Sequence, residues 1–386
     1  MFEHAFKGSL RYWALIFLFG GLFGVGFLTF LYQYMNGLQV TGMSRDVSWG
    51  LYIGQLTFFV GVAASAVMVV LPYYLHNFKA FGRMTVLGEF VAIPAVLMCM
   101  LFVLVDLGQP ARMMNLFLHP TPNSMLFWDT VALFGYLGLN ILITWFVFGA
   151  ERKGVPAPRW IKFFIILSVP WAFSIHTVTA FLYAGLGARP FWMTAVLAPR
   201  FLASAFAAGP SLLILLALIV RKFTTFDPGK EAIQQLGRIA TYAMAANIFL
   251  VGMELFTALY SGIPEHLHHF EYLYVGLGEA DTLVPWMWTS AILGVAAMVM
   301  LFVPSIRRNE TYLAWAAAMI FISLWIDKGL GMVVAGYVPS PLGAVTEYWP
   351  TLPEWMIVFG IWALGLLLIT VFYKIVISVR EQAEQA

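Results

Sequence analysis

The chain has 386 residues, of which 61% are hydrophobic and only 10% are charged, and its mean hydropathy is +0.85. A water-soluble fold would leave much of this apolar surface exposed, so the composition indicates a protein that crosses a bilayer several times. The formal net charge of +2 gives no support to nucleic-acid binding. The single cysteine, Cys99, can hold neither a disulfide nor an iron–sulfur cluster alone, so any such centre belongs to a partner.

Apolar runs of about 20 residues, the length that spans a bilayer as a helix, predict an all-α protein with ten membrane helices. These are residues 12–34, 47–75, 86–107, 124–149, 160–186, 200–221, 233–261, 283–303, 311–337 and 354–377. The first run follows MFEHAFKGSLR with no small-residue cleavage pattern. We therefore expect a retained first helix rather than a removed signal peptide.

Alternating helices divide the basic residues unequally between the two sides of the membrane. Of the 21 Lys and Arg residues, Lys328 falls within a span, and one side receives only four, Arg45, Arg112, Arg189 and Arg200. Lys and Arg accumulate in cytoplasmic segments, so we expect both termini in the cytoplasm and the arginine-poor side outside.

The outward segments are acidic and aromatic. Residues 263–282 contain His266, His268 and His269 with several carboxylates and no Lys or Arg, and Glu347 lies in the last outward segment. These surfaces are typical either of an interfacial aromatic belt with hydrated acids or of a docking site for an extracytoplasmic partner. A metal site at the histidines is a weaker alternative.

Spans two to five and six to nine read as two four-helix bundles of the same orientation. Asp106 and Glu254 lie at matching depths in the two sets, as do His176 and Asp327. Such matching is typical of a parallel duplication, although chance can also produce it. We expect an N-terminal helix with its outward loop, two bundles, and a C-terminal helix with a short tail, at residues 1–46, 47–190, 191–340 and 341–386.

Ionisable groups within the spans predict a polar pocket, because a charge at the bilayer centre costs roughly 2.5 to 3.5 kcal/mol even on lenient scales. Asp106 ends span three in VDLGQPARMMN and can either pair with Arg112 or accept a proton. His176, in SIHTVTAF, can hydrogen-bond a neighbouring helix or exchange a proton, because imidazole titrates near neutral pH.

The second bundle carries its own charged groups. Glu254 has no Lys or Arg within its helix turn and has apolar neighbours, which favours its neutral form and a role as proton carrier. Asp327 and Lys328 are adjacent and project about 100° apart, so each needs a partner on another helix. An ion pair stabilising the bundle and a direct role are both open. Glu89 and Asp129 fall near span ends, within reach of water.

Four motifs resemble one known family. They are SWGLYIG opening span two, VDLGQPARMMN closing span three, SIHTVTAF in span five, and ARPFWMTAVLAPRFLASAFAAGP leading into span six. Together they resemble the NrfD family of polysulfide reductase membrane subunits. The resemblance covers nearly the whole chain and is greatest to the longer, ten-helix branch, which includes membrane subunits of sulfite-reduction-associated complexes and hydrogenases.

The resemblance implies an integral subunit of a redox complex in a prokaryotic cytoplasmic (inner) membrane. Such a subunit holds no haem or iron–sulfur cluster itself. It exchanges electrons between menaquinone and a ferredoxin-like iron–sulfur subunit docked on the extracytoplasmic face, alongside further cytochrome and membrane subunits. In some relatives an acidic residue follows the span-five histidine, where this chain has Phe181 and Leu182, so a proton-pumping route does not transfer simply.

The resemblance also assigns candidate roles to residues. Asp106 and His176 match family motifs, and with Glu254 they are the candidate proton acceptors. The candidate quinone-site residues are Trp49, Gly50, Gln55, Gly61, Arg112, Asp327 and Lys328. Two other classes of function use the same features: a secondary transporter or ion channel with intramembrane carboxylates, and a structural anchor for redox partners.

Overall fold

The computed structural model describes residues 2–6, 8–75, 78–224 and 226–385. Within these residues ten helices are long and apolar enough to cross a membrane, which confirms the predicted all-α polytopic fold. We number them α1 (Leu10–Asn36), α2 (Leu51–Tyr74), α3 (Lys79–Asp106), α4 (Met125–Arg152), α5 (Ile161–Ala184), α6 (Leu197–Phe223), α7 (Lys230–Ser261), α8 (Val284–Phe302), α9 (Glu310–Ala335) and α10 (Leu352–Val379).

Shorter helical segments complete the described chain. They include 3-10 turns at Phe2–Phe6, Leu38–Val40, Pro110–Met114 and Pro190–Trp192, and short α-helices at Asn115–Leu118, Pro264–Tyr274 and Pro304–Arg308. Two spans are irregular. Helix α2 contains a 3-10 turn at Ala64–Ala66, and α9 contains a π-helix at Asp327–Gly331 followed by a last α-turn at Met332–Ala335. Helix α10 continues beyond the apolar span to Gln385.

The spans pack as two similar bundles and a flanking pair. In the first bundle α2 contacts α3 and α5, and α4 also contacts α3 and α5; in the second, α6 contacts α7 and α9, and α8 also contacts α7 and α9. The bundles meet where α2 contacts α6 and α9, while α1 packs on α10 and α10 on α3. The order of contacts is therefore the same in both sets of four helices, and their origin by parallel duplication stays a prediction.

The segments that join α1 to α2, α7 to α8 and α9 to α10 meet at one end of the bundles. The backbone N–H of Gly42 donates to Glu354 Oε2 over 2.7 Å, and that of Thr282 donates to Glu347 Oε1 over 2.9 Å. We call this the loop-helix end, after the helix Pro264–Tyr274. The division of basic residues predicts that it faces out of the cytoplasm.

Candidate functional site

An open cavity of about 450 Å³ lies at the loop-helix end, between the start of α2, the α5–α6 segment and the end of α9. Its walls are formed by Ser48, Trp49, Gly185, Leu186, Gly187, Ala188, Arg189 and Tyr337. Small-molecule sites generally have volumes of about 300 to 1,000 Å³, so the cavity is large enough for an aromatic ring system. We call it the Trp49 cavity.

Aromatic side chains make one wall of the Trp49 cavity. The ring centroid of Trp49 lies 5.4 Å from that of Tyr183, 5.9 Å from Trp192 and 6.1 Å from Tyr337. Trp192 is fully buried, and its indole N–H donates to the Met332 carbonyl oxygen over 2.9 Å. Trp49 and Tyr337 face the cavity, and the buried rings of Tyr183 and Trp192 pack behind them in edge-to-face and tilted contacts.

Polar groups of the cavity wall surround Tyr337. The guanidinium carbon of Arg189 lies 4.2 Å from the Tyr337 ring centroid, and Arg189 Nη1 is buried with no hydrogen-bond partner among the described residues. Burial raises the pKa of Tyr337 to about 12; a hydrogen bond with Ser48 and the nearby Arg189 oppose this rise, and Asp106 adds to it. The Tyr337 hydroxyl therefore stays protonated at neutral pH and can donate a hydrogen bond.

Asp106 ends α3 at the same end of the bundles as this cavity but does not line it. Its Oδ1 is buried and has no hydrogen-bond partner among the described residues. Arg112, in the 3-10 turn Pro110–Met114, is exposed, and the ion pair with Asp106 that the sequence left open is not among the ion pairs of the described residues. A buried carboxylate oxygen without a partner is costly, so Asp106 is the more suitable of the two to meet a ligand.

His176 lies deeper in the first bundle. It is fully buried in α5, about two helical turns from Tyr183, and neither ring nitrogen has a partner among the described residues. One turn nearer the cavity, the Thr179 hydroxyl donates to Asp129 Oδ1 over 2.6 Å. Asp129 and Glu89 are only 2% and 4% exposed, so the expectation that water reaches them is wrong.

The second bundle contains an ion triad centred on Arg200. Its Nη1 lies 2.7 Å from Glu254 Oε2, and its Nη2 lies 2.7 and 2.8 Å from the two carboxylate oxygens of Asp327. Arg200 was expected in an outward segment, but α6 begins at Leu197, which places the guanidinium within the bundle. The expectation that Glu254 lacks a cationic partner is therefore wrong. Carboxylates in α7 and α9 without a cation of their own were the signal that could have identified Arg200.

Lys328 and Gln55 connect helices around the triad. The Lys328 ammonium donates to the Phe201 carbonyl oxygen over 3.2 Å and lies 3.9 Å from the Phe201 ring centroid. Its partner lies on another helix, as expected, and consists of a backbone carbonyl and an aromatic face of Phe201. Gln55 Oε1 accepts the indole N–H groups of Trp325 and Trp362 over 2.9 and 3.1 Å. Both side chains bridge helices and do not line the Trp49 cavity.

Gly50 and Gly61 lie at close packing contacts. A Cβ added to Gly50 would lie 2.3 Å from the Tyr348 hydroxyl oxygen, and one added to Gly61 would lie 3.3 Å from Ala205 Cα. The first contact holds the start of α2 on the α9–α10 segment, and the second joins α2 to α6. Both glycines therefore allow close helix packing, and their part in quinone binding stays a prediction.

The histidines of the loop helix point to different surroundings. His269 Nδ1 lies 2.9 Å from the Val338 carbonyl oxygen and is buried, and burial lowers the pKa of this imidazole. His268 Nε2 lies 3.9 Å from Glu271 Oε2. No group of three His, Cys, Asp or Glu side chains suited to a metal occurs in the described part of the chain, so the metal alternative gains no support.

Comparison with known proteins identifies the family. The family described as "Polysulphide reductase, NrfD" matches residues 39–339, which contain the Trp49 cavity and both bundles. A subunit of the selenate reductase of Mesobacillus selenatarsenatis is 23% identical over 93% of this chain and 93% of its own. The Hdr-like menaquinol oxidoreductase integral membrane subunit of Archaeoglobus fulgidus is 22% identical over 97% and 95%.

A third relative, the menaquinone reductase integral membrane subunit of Nitratidesulfovibrio vulgaris, is 21% identical over 97% of this chain and 93% of its own. These relatives extend the similarity over nearly the full chain, including α1 and α10. The family match covers well over half of the chain. The protein therefore belongs to the NrfD family of polysulphide reductase membrane subunits.

Proposed function

We propose that the protein is the quinone-binding membrane subunit of a multisubunit oxidoreductase. It exchanges electrons between menaquinol or menaquinone and an iron–sulfur partner on the extracytoplasmic face. The observation that carries this proposal is the Trp49 cavity, which combines an aromatic wall with the unpartnered Arg189 Nη1 at one end of the membrane domain. One relative is named as a menaquinol oxidoreductase membrane subunit and another as a menaquinone reductase membrane subunit, which supports the same ligand.

The residues of the cavity fit a quinone ring. The rings of Trp49 and Tyr337 offer apolar faces, and the Arg189 guanidinium has an N–H group without a protein acceptor among the described residues. The Tyr337 hydroxyl is a second donor. Two donors around a flat apolar slot match a ring that carries two carbonyl oxygens. We propose that Arg189 and Tyr337 orient the ring while Trp49 excludes water from its face.

A bound quinol supplies two electrons and two protons. Asp106 is the proposed first proton acceptor, because it ends α3 at the same end of the bundles as the cavity and its Oδ1 is buried and unpartnered among the described residues. His176 is the proposed second acceptor, since neither of its ring nitrogens has a hydrogen-bond partner among the described residues. Glu254 is held by Arg200, so its predicted role as a proton carrier has less support than those of Asp106 and His176.

The loop-helix end is the proposed docking surface for a ferredoxin-like iron–sulfur subunit. The Trp49 cavity lies at this end, so a cluster docked there lies on the same side of the membrane as the ring site. The segment 263–282 offers carboxylates without Lys or Arg. Charge complementarity steers association and selects partners, so we propose a basic complementary face on that subunit. Further cytochrome and membrane subunits complete the proposed complex.

The proposal is tested by binding of menadione, a naphthoquinone, to the full chain in lipid nanodiscs. We expect Trp49→Leu and Arg189→Gln each to weaken binding by about tenfold, or about 1.4 kcal/mol. Arg45→Gln is the matched control, because Arg45 lies at the same end with its side chain 89% exposed. Wild-type affinity in both cavity variants would contradict the proposal.

A transporter or channel predicts a different result. Proteoliposomes containing the isolated chain would then take up ions with no dependence on quinone, and menadione would have no effect. A structural anchor predicts that menadione does not bind at all. Either outcome would overturn the proposed function.

A further inference from the structure

The π-helix in α9 begins at the residue that Arg200 holds. Asp327 is the first residue of the π-helix Asp327–Gly331, and Arg200 contacts both of its carboxylate oxygens. A π-turn inserts about one extra residue into an α-helix, is unfavourable alone and occurs frequently at functional sites. The charge-assisted contact from Arg200 Nη2 in α6 to both carboxylate oxygens therefore fixes α9 at the point where its helical register changes.

The same π-helix touches the first bundle directly. A Cβ added to Gly54 in α2 would lie 1.7 Å from the Gly329 carbonyl oxygen, so the two backbones are in contact. Only glycine at position 54 permits this approach. Helix α2 begins at Leu51, two residues after Trp49. The contact therefore joins the π-helix to the helix that carries Trp49 at its start.

The residues that follow the π-helix build that wall. The Met332 carbonyl oxygen accepts the Trp192 indole N–H over 2.9 Å. A Cβ added to Gly336 would lie 2.0 Å from the Trp192 ring, and Tyr337 lines the cavity. The positions of Trp192 and Tyr337 therefore depend on the register of α9 after Asp327.

We propose that the Arg200–Glu254–Asp327 triad is the positioning element of the Trp49 cavity. This inference rests on the proposed function and concerns how the wall of that same site is positioned. Arg200 holds Asp327, the π-turn sets the rotation of the residues beyond it, and these hold Trp192 and Tyr337. If the π-turn relaxed to α-helix by one residue, the downstream residues would rotate by about 100°, which would remove Tyr337 from the wall.

A second ion pair between the same two helices provides a matched control. Arg221 Nη1 in α6 lies 3.0 Å from Glu310 Oε1 in α9, at the end opposite to the cavity. Glu310→Gln removes a charged contact between α6 and α9 without touching the π-helix. A general loosening of these helices would therefore appear in both variants, and a positioning effect only in the Asp327 variants.

The test compares Asp327→Asn, Asp327→Glu, Arg200→Lys and Glu310→Gln as full chains in nanodiscs, with menadione as the probe. We expect Asp327→Asn to weaken binding about tenfold, Asp327→Glu to restore it to within about threefold, and Glu310→Gln to leave it unchanged. In the assembled complex, Asp327→Asn raises the KM for quinol about tenfold with kcat within about twofold. This division indicates lost ring binding rather than lost chemistry.

Arg200→Lys keeps the charge but loses the guanidinium fork that reaches both carboxylates. It is expected to weaken menadione binding at least threefold, and it carries the test if Asp327→Asn does not fold. Wild-type affinity in the folded variants, or equal weakening by Glu310→Gln, overturns this inference and leaves the proposed function intact. Absence of menadione binding to the wild-type chain instead overturns the proposed function.

Discussion

The two bundles treat their intramembrane ionisable groups in opposite ways. In the second bundle, Glu254 and Asp327 share the Arg200 guanidinium. In the first bundle, Asp106 Oδ1 and both nitrogens of His176 have no partner among the described residues. A buried charge pair is costly to break, whereas an unpartnered buried group is satisfied when a ligand or a proton arrives. We therefore propose that the second bundle stabilises the architecture and that the first accepts the protons of the quinol.

Arg200→Gln gives the largest expected effect, on stability. It leaves Glu254 and Asp327 buried without their shared cation, and breaking a buried pair in this way costs about 3 to 5 kcal/mol. We expect a clearly lower thermal unfolding midpoint of the chain in detergent. Arg45→Gln, at an exposed position, should leave the midpoint unchanged. Equal midpoints for both variants would contradict a stabilising role of the Arg200 ion triad.

Asp106→Asn gives the largest expected effect on activity. The amide keeps the shape of the side chain but cannot accept the proton, and general-base groups contribute about 100-fold or more. Quinol oxidation by the assembled complex should therefore fall at least 100-fold, while menadione binding stays within about threefold. Asp46→Asn, at the same end, serves as the control. A rate within threefold of wild type would exclude Asp106 as the acceptor.

His176→Ala and Glu254→Gln compare the roles of the two bundles in quinol oxidation. We expect His176→Ala to slow quinol oxidation about tenfold, since a proton acceptor is lost. Glu254→Gln should slow it less, because Arg200 keeps Asp327, but should lower the unfolding midpoint. Steady-state rates and thermal scans of both variants measure this. A slower rate in Glu254→Gln than in His176→Ala would instead assign proton acceptance to the second bundle.

His269 gives the smallest expected effect, as a pH dependence of stability. Burial lowers the pKa of His269 below its ordinary 6.5. As pH falls below that value, the unfolded chain binds a proton that the folded chain does not, so the folded state loses stability. The unfolding midpoint should decrease between about pH 7.5 and 5.5, and His269→Gln should reduce this slope. An unchanged slope in the variant would show that other groups cause it.

The fold could be predicted from the sequence because apolar runs of bilayer length leave few alternatives. The positions of Asp106, His176 and Glu254 within the third, fifth and seventh spans followed from the same patterns. Arg200 could not be placed, because a shift of a few residues at the start of α6 decides whether it lies in a loop or in the bundle. Such ends are the least certain part of any hydropathy pattern.

The cavity itself depends on contacts between distant segments. Tyr337 and Arg189 form a cation–π contact although they lie in segments beyond α9 and α5, and neither stands out in the sequence as a ligand. Gln55 was assigned to the quinone site by resemblance, and in the folded chain its Oε1 accepts two indole N–H groups. Side-chain chemistry was readable from the sequence, whereas the meeting of the segments required the folded chain.

The most direct test is a high-resolution structure of the assembled complex with a bound menaquinone analogue. We expect the naphthoquinone ring in the Trp49 cavity, in contact with Trp49 and Tyr337, with one carbonyl oxygen accepting a hydrogen bond from Arg189. A ring bound beside Glu254, or anywhere away from this cavity, would contradict this expectation.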